Sequence, residues 1–222
     1  MATEAKIPVY LEAGEKRTFA CATDWPGWAR VAKNDELALE ALAAYGPRYA
    51  AVAKEAGMTF LAEVGVADLK VMERVKGSAT TDFGAPGSAT KADRKAYGAK
   101  EARRSAKLVD AAWTILDRAV ASAPAELRKG PRGGGRDRDK MFGHVLDAEA
   151  SAYARKLGLR VPTPAIGDKQ AIRAERDAVL GVLRQPYDGS QPEGKNWLPA
   201  YTARRIAWHA LDHAWEMADR SD

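Results

Sequence analysis

Two of the three histidines in this chain, His209 and His213, sit four residues apart in the stretch Ala207-Trp208-His209-Ala210-Leu211-Asp212-His213-Ala214-Trp215-Glu216. On an α-helix, side chains at i and i+4 share one face about 5–6 Å apart at Cβ, so two imidazoles at this spacing can converge on one ion. The third, His144, lies in Met141-Phe142-Gly143-His144-Val145-Leu146-Asp147-Ala148-Glu149, which also reads as helix. Three neutral nitrogens from two packed helices make an open metal site, whereas structural zinc sites are closed by four protein ligands. The competing reading is a set of ordinary core histidines, since Trp208, Leu211 and Trp215 mark the last helix as largely buried. The matched register of two histidines, and the placement of all three on helices that flank a bundle core, favour the metal. Zinc fits such a donor set first, with nickel and iron as alternatives. An ion held this way lowers the pKa of a coordinated water or thiol and so supplies a nucleophile at neutral pH.

Carboxylates lie within a turn of these histidines. Glu216, at i+7 from His209 and i+3 from His213, and Asp147, beside His144, are the candidate catalytic groups, as general base or as orienters of ligand N–H groups. Asp212 is a further candidate, and for all three a solvated surface role is the alternative. Upstream of His144 runs a glycine-rich cationic stretch, residues 128–140. It lacks the Gly-x-x-x-x-Gly-Lys-Ser/Thr pattern of a nucleotide loop. Arg132, Arg136 and Arg138 are instead candidate binding residues on a basic loop over the metal pocket, where they would attract an acidic substrate or a carboxylate-bearing thiol. The plainer alternative is a flexible connection in which Asp137 or Asp139 caps the next helix.

These groups must be positioned by a chain of 222 residues, 46% of them hydrophobic, which is enough for a substantial core. Lys and Arg outnumber Asp and Glu by 35 to 30, for a formal charge of +5 and a sequence pI near 9.3. The excess favours anionic partners, but the cations alternate with acids, as in Lys91-Ala92-Asp93-Arg94-Lys95, which argues against a nucleic-acid stripe. No apolar run approaches the ~20 residues that span a bilayer, so no membrane insertion is expected. The single cysteine, Cys21, has no internal disulfide partner. With no basic-then-apolar leader at the start, a cytoplasmic location is expected, with Cys21 buried and inert.

The fold class expected is α+β. Residues 7–11 and 17–22 read as strands joined by a hairpin turn, and a third strand follows Trp25-Pro26-Gly27-Trp28 through Val31. Asn34 or Asp35 caps a helix that stops or bends near Gly46-Pro47, then resumes through Ala56 and ends at Gly57. Strand-like segments follow at 60–64 and 69–75. Residues 77–91, rich in Gly, Ser, Thr and Pro, read as a linker between a domain at 1–76 and another at 92–222. Four helices are expected in the second part, over residues 92–122, 137–157, 169–183 and 201–219. Trp25 and Trp28 read either as a staple of their turn to the sheet or as a binding feature. The aromatics near the last helix, Tyr187, Trp197, Tyr201, Trp208 and Trp215, read as packing that leaves a homodimer open.

The order strand, strand, strand, helix, strand, with Asp24-Trp25-Pro26-Gly27 before the third strand, resembles the small HicB-like antitoxin domain over about the first 75 residues. From residue 92 onward the chain resembles the DinB-like family, which includes thiol-dependent transferases of the YfiT type and mycothiol-dependent maleylpyruvate isomerases. The resemblance rests on a long first helix, on His144-x-x-x-x-Glu149 and on His209-x-x-x-His213. It implies a small α/β domain followed by a four-helix bundle, with metal-ligand roles for His144, His209 and His213. It further implies a metal-dependent S-transferase that uses a low-molecular-weight thiol on a small electrophilic or anionic substrate. Many members continue the last motif with a further His and a Gly-Gln pair, where this chain has Ala214-Trp215-Glu216-Met217-Ala218. Two other functions stay open: a metal-stabilised binding protein whose HicB-like part recognises a macromolecule, and a metal-dependent hydrolase.

Overall fold

A computed structural model describes residues 6–130, 135–194 and 196–221. The molecule is mixed α+β, with one four-stranded sheet and seven α-helices among the described residues. Strands β1 (Ile7–Ala13), β2 (Thr18–Ala22), β3 (Ala29–Ala32) and β4 (Leu69–Lys76) lie in the order β3-β2-β1-β4. The first three form an antiparallel meander, and β4 pairs parallel to β1 with a shift in register at Val9/Tyr10. A parallel partner needs a crossover. Helices α1 (Asp35–Ala44) and α2 (Gly46–Glu55) provide it, and Asn34 caps α1 by accepting from the Leu37 N–H at 2.9 Å.

Period-two alternation sends Val9, Leu11, Ala20 and Ala22 to one face of the sheet, and Tyr10, Phe19, Cys21 and Ala29 to the other. Both faces are covered, so every residue of β2 is buried. Trp28 is 1% exposed; it stacks on Tyr49 with ring centroids 5.6 Å apart and donates to the Leu42 carbonyl at 2.9 Å. Phe60 closes this cluster edge-on against Trp25 and Trp28. The two tryptophans staple the turn to the helices, and Trp25 also carries Arg104 over its ring.

Two expectations are corrected, for residues 60–64 and for the start of the first long helix. Residues 60–64 form no strand: with Phe60 drawn into the aromatic cluster, the chain turns on itself, and the Val64 N–H donates to the Ala62 carbonyl at 3.2 Å. Residues 77–91 lie between the sheet and the first long helix. They hold the short helix α3 (Ala79–Phe83), and the buried Glu12 carboxylate accepts from Thr81 Oγ1, Gly87 N and Ser88 N at 2.5, 2.8 and 2.9 Å. Finally, the first long helix, α4 (Ala99–Ser122), starts later than residue 92. Residues 92–94 make only a 3-10 turn: Asp93 turns back to accept from Thr90 and to pair with the buried Arg204, while Tyr97 exchanges backbone hydrogen bonds with Tyr187, so the α-helix begins only after Gly98.

The other three bundle helices are α5 (Arg138–Ala148), α6 (Lys169–Leu183) and α7 (Pro199–Asp219). Beyond Ala148 the chain of α5 continues as a π-helical segment over Glu149–Ala154, where the wider turn carries Glu149 and Tyr153 inward. Helix α4 packs along α7, α5 leans on α7 and α6 leans on α4. One continuous apolar core joins Val9 and Leu11 of the sheet to Val109, Leu146 and Leu211 of the helices. Among the described residues, no helix is long and apolar enough to cross a membrane.

Candidate metal centre

Helix α7 presents His209 and His213 toward α5, which presents His144. The rings meet edge to face, with centroid separations of 5.1 Å for His144–His209, 5.3 Å for His144–His213 and 4.7 Å for His209–His213. One nitrogen from each lies within 4.8 Å of the others, and Nε2 of His209 is 3.3 Å from Nε2 of His144. Two nitrogens on one tetrahedral ion, each about 2.0–2.1 Å from it, lie about 3.3–3.4 Å apart. A proton shared between two neutral imidazoles gives a similar distance. Such a proton joins only two rings, and the third is brought to the same point.

The surroundings favour the neutral form of two of the rings, His209 and His144. Burial pushes His209 well below the ordinary histidine value, with the neighbouring His213 and His144 adding to the effect. His144 is also lowered, first by burial and then by the charge of Arg136. Neutral imidazole is the ligating form. Nδ1 of His209, a residue only 6% exposed, has no hydrogen-bond partner, so within the protein only the Nε2 contact with His144 bears on its tautomer. An ion on Nε2 would fix it.

Behind His213 stands Glu216, with Oε2 3.4 Å from Nδ1, too poorly aligned to count as a full hydrogen bond. Its other oxygen accepts from Arg220 Nη1 at 2.8 Å. Arg220 also donates to the carbonyls of Arg128 and Arg136, at 2.6 and 2.9 Å, and thereby holds these two residues against the end of α7. Gly135, at φ +123°, lies so close to this guanidinium that a Cβ there would come within 2.7 Å of it.

The other candidates divide. Arg136 is close enough for its charge to act on both His144 and His209. Arg138 instead bonds Asp139 and the Ala123 carbonyl and faces a different cleft. Arg132 lies outside the described residues. Asp147 is exposed and meets Thr163 at 3.4 Å; it acts on His144 through charge alone. Asp212 is engaged by Arg30 at 3.1 Å. Sequence reasoning gave no role to Arg220, whose signal was its spacing of four from Glu216. It also gave none to the buried trio Glu149, Glu175 and Arg176, whose signal was charge on the apolar side of helices.

The fold and the cluster define the class: an α+β protein with three histidines converging between two helices of a bundle. Compared with protein-family models, curated proteins and solved structures, the chain matches none.

Proposed function

We propose that His144, His209 and His213 hold one divalent metal ion, zinc in the first place, and that the protein is a metal-dependent enzyme of the DinB-like type. The reaction we assign is transfer of a low-molecular-weight thiol to a small electrophile. The observation that carries the metal is the convergence of three imidazoles, with a nitrogen of each within 4.8 Å of the others. The thiol rests on the resemblance of His209-x-x-x-His213 and the bundle helices to that family. When bound, such an ion lowers the pKa of a thiol or water at the position that three ligands leave free.

The chain's own groups have distinct tasks. The three rings fix the ion, and Glu216 steadies His213 from behind while Arg220 steadies Glu216. Arg136 adds positive charge beside the rings, which favours an anionic substrate or a carboxylate-bearing thiol. A cleft of about 550 Å³ lined by Arg128, Lys129, Trp215, Glu216 and Arg220 adjoins this carboxylate. Asp212 and Asp219 on its wall pair with Arg30 and Arg48.

The test is metal content of the purified, untagged protein by mass spectrometry, beside the His144→Ala and His209→Ala variants. About one ion per chain, lost in variants that keep their circular dichroism, is the expected result. Thiol consumption with electrophiles that stops on chelation would then establish the transferase, and turnover without thiol would move the assignment to hydrolysis. Failure of the wild type to bind zinc, nickel or iron overturns the proposal.

A further inference from the structure

Helices α5 and α6 each lean on α4 but scarcely touch one another, and a cleft of about 630 Å³ lies in the gap. Phe142 on its wall is two positions from His144 on α5, about 200° around the helix, so the cleft faces away from the histidines. Its apolar lining comes from Trp113, Phe142 and Ile172, with Ile166 51% exposed at the rim. Concave apolar surface with a few convergent polar groups is the usual form of a small-molecule site.

The three carboxylates of the lining are each engaged: Asp110 by Arg173 at 2.9 Å, Asp117 by Arg176 at 2.8 Å and Asp139 by Arg138 at 2.7 Å. Lys169, also in the lining, has no side-chain partner among the described residues. Arg176 is the built element. Its side chain is 4% exposed, its guanidinium lies 5.2 Å from the centre of the Trp113 ring, and Nε and Nη2 have no hydrogen-bond partner. Its nearest buried counter-charge, Glu149 Oε2, stays at 3.6 Å from Nε. Buried guanidinium N–H groups seldom go unpaired, because each forfeits its hydration. Asp117 reaches Arg176 only through Nη1 and is 50% exposed, so it can swing out to solvent.

We propose that this cleft binds a small organic anion: a carboxylate that displaces Asp117 and takes a two-point hold on Arg176, carried on an aromatic or aliphatic body against Trp113, Phe142 and Ile172. Lys169 at the rim steers and partly neutralises the same charge. The guanidinium, planar and set beside an aromatic ring, suits a bidentate carboxylate better than a point-charge ligand.

The probe is sodium benzoate, with benzamide as its uncharged counterpart, titrated into the full chain and followed by protein NMR and calorimetry. Saturable benzoate binding that shifts the Trp113 indole N–H and the Ile172 methyls is expected, with benzamide at least tenfold weaker. Arg176→Met should weaken benzoate tenfold or more. Because that change can also unfold the bundle, Asp117→Asn supplies the second test: by removing the internal competitor it should tighten benzoate binding several-fold. Equal binding of benzoate and benzamide, or no binding to either the wild type or Asp117→Asn, overturns the proposal.

Discussion

His144 and His209 come from helices 65 positions apart in sequence, and their Nε2 atoms lie 3.3 Å apart in the fold. Only helix packing brings them together, and a metal would lock that packing. A ligand present at about a hundred times its dissociation constant adds about 2.7 kcal/mol to stability. For a chain of this size that corresponds to a rise in Tm of about 5–10 °C. Zinc should therefore raise the melting temperature of chelator-treated wild type by that amount and leave a His209→Ala/His213→Ala variant unmoved. An equal rise in the variant would place the ion elsewhere.

The metal-free protein should lose stability on mild acidification. Burial holds His209 and His144 below the ordinary value of about 6.5, so protons bind the unfolded chain first as pH falls. The contribution is full above pH ~6.5 and declines as pH drops from there toward the folded-state values. Urea titrations in chelator at pH 7.5 and 5.5 should show a larger loss for wild type than for His209→Gln. Identical losses would contradict the burial of a neutral ring.

Glu175 should act in the opposite sense. Burial, and then the charge of Glu149, raise its carboxyl from the ordinary 4.5 to about 8, and both of its oxygens lack hydrogen-bond partners. A raised folded-state value means a contribution that is full below the unfolded pKa and lost as pH rises toward about 8. Glu175→Gln should be more stable than wild type at pH 8, by a margin that shrinks toward pH 5. A margin independent of pH would show that Glu175 is ionised in the fold.

Glu12 anchors the segment that joins sheet and bundle. Glu12→Ala leaves the Gly87 and Ser88 N–H groups without their acceptor, and an unmade buried hydrogen bond costs about 1–3 kcal/mol. Hydrogen exchange at residues 87 and 88 should accelerate in the variant more than exchange in β2. Unchanged protection there would refute the anchoring role.

Cys21 should be chemically silent while the protein is folded. It is buried in β2, and desolvation pushes its thiol up to about 12, so almost no thiolate forms at pH 8. Ellman's reagent should label it at least a hundredfold more slowly in buffer than in 8 M urea. Rapid labelling of native protein would show an open sheet.

Much of this architecture was legible locally. Alternation in residues 7–11 and 17–22, the Asn34 cap and the apolar spacing of residues 169–183 specify strands and helices, because each is a property of neighbouring residues and their backbone hydrogen bonds. The failures have a common origin in long-range polar contacts. Helical spacing runs through Asp93 in the sequence because its partner Arg204 lies 111 positions away, and nothing near residues 77–91 reveals that Glu12 needs the N–H groups of Gly87 and Ser88. The π-helical turn at Glu149–Ala154 was invisible to a 3.6-residue period.

The sequence by itself determined the ligand types, the four-residue spacing of His209 and His213, and the helical pattern that puts them on one face. Tertiary structure alone decided that His144 faces that pair, that Arg136 but not Arg138 stands beside it, and that Arg176 is buried in a cleft wall. Helical periodicity follows from local backbone geometry. Which faces meet depends on the packing of the whole core, and so does which charges then find or lack a partner.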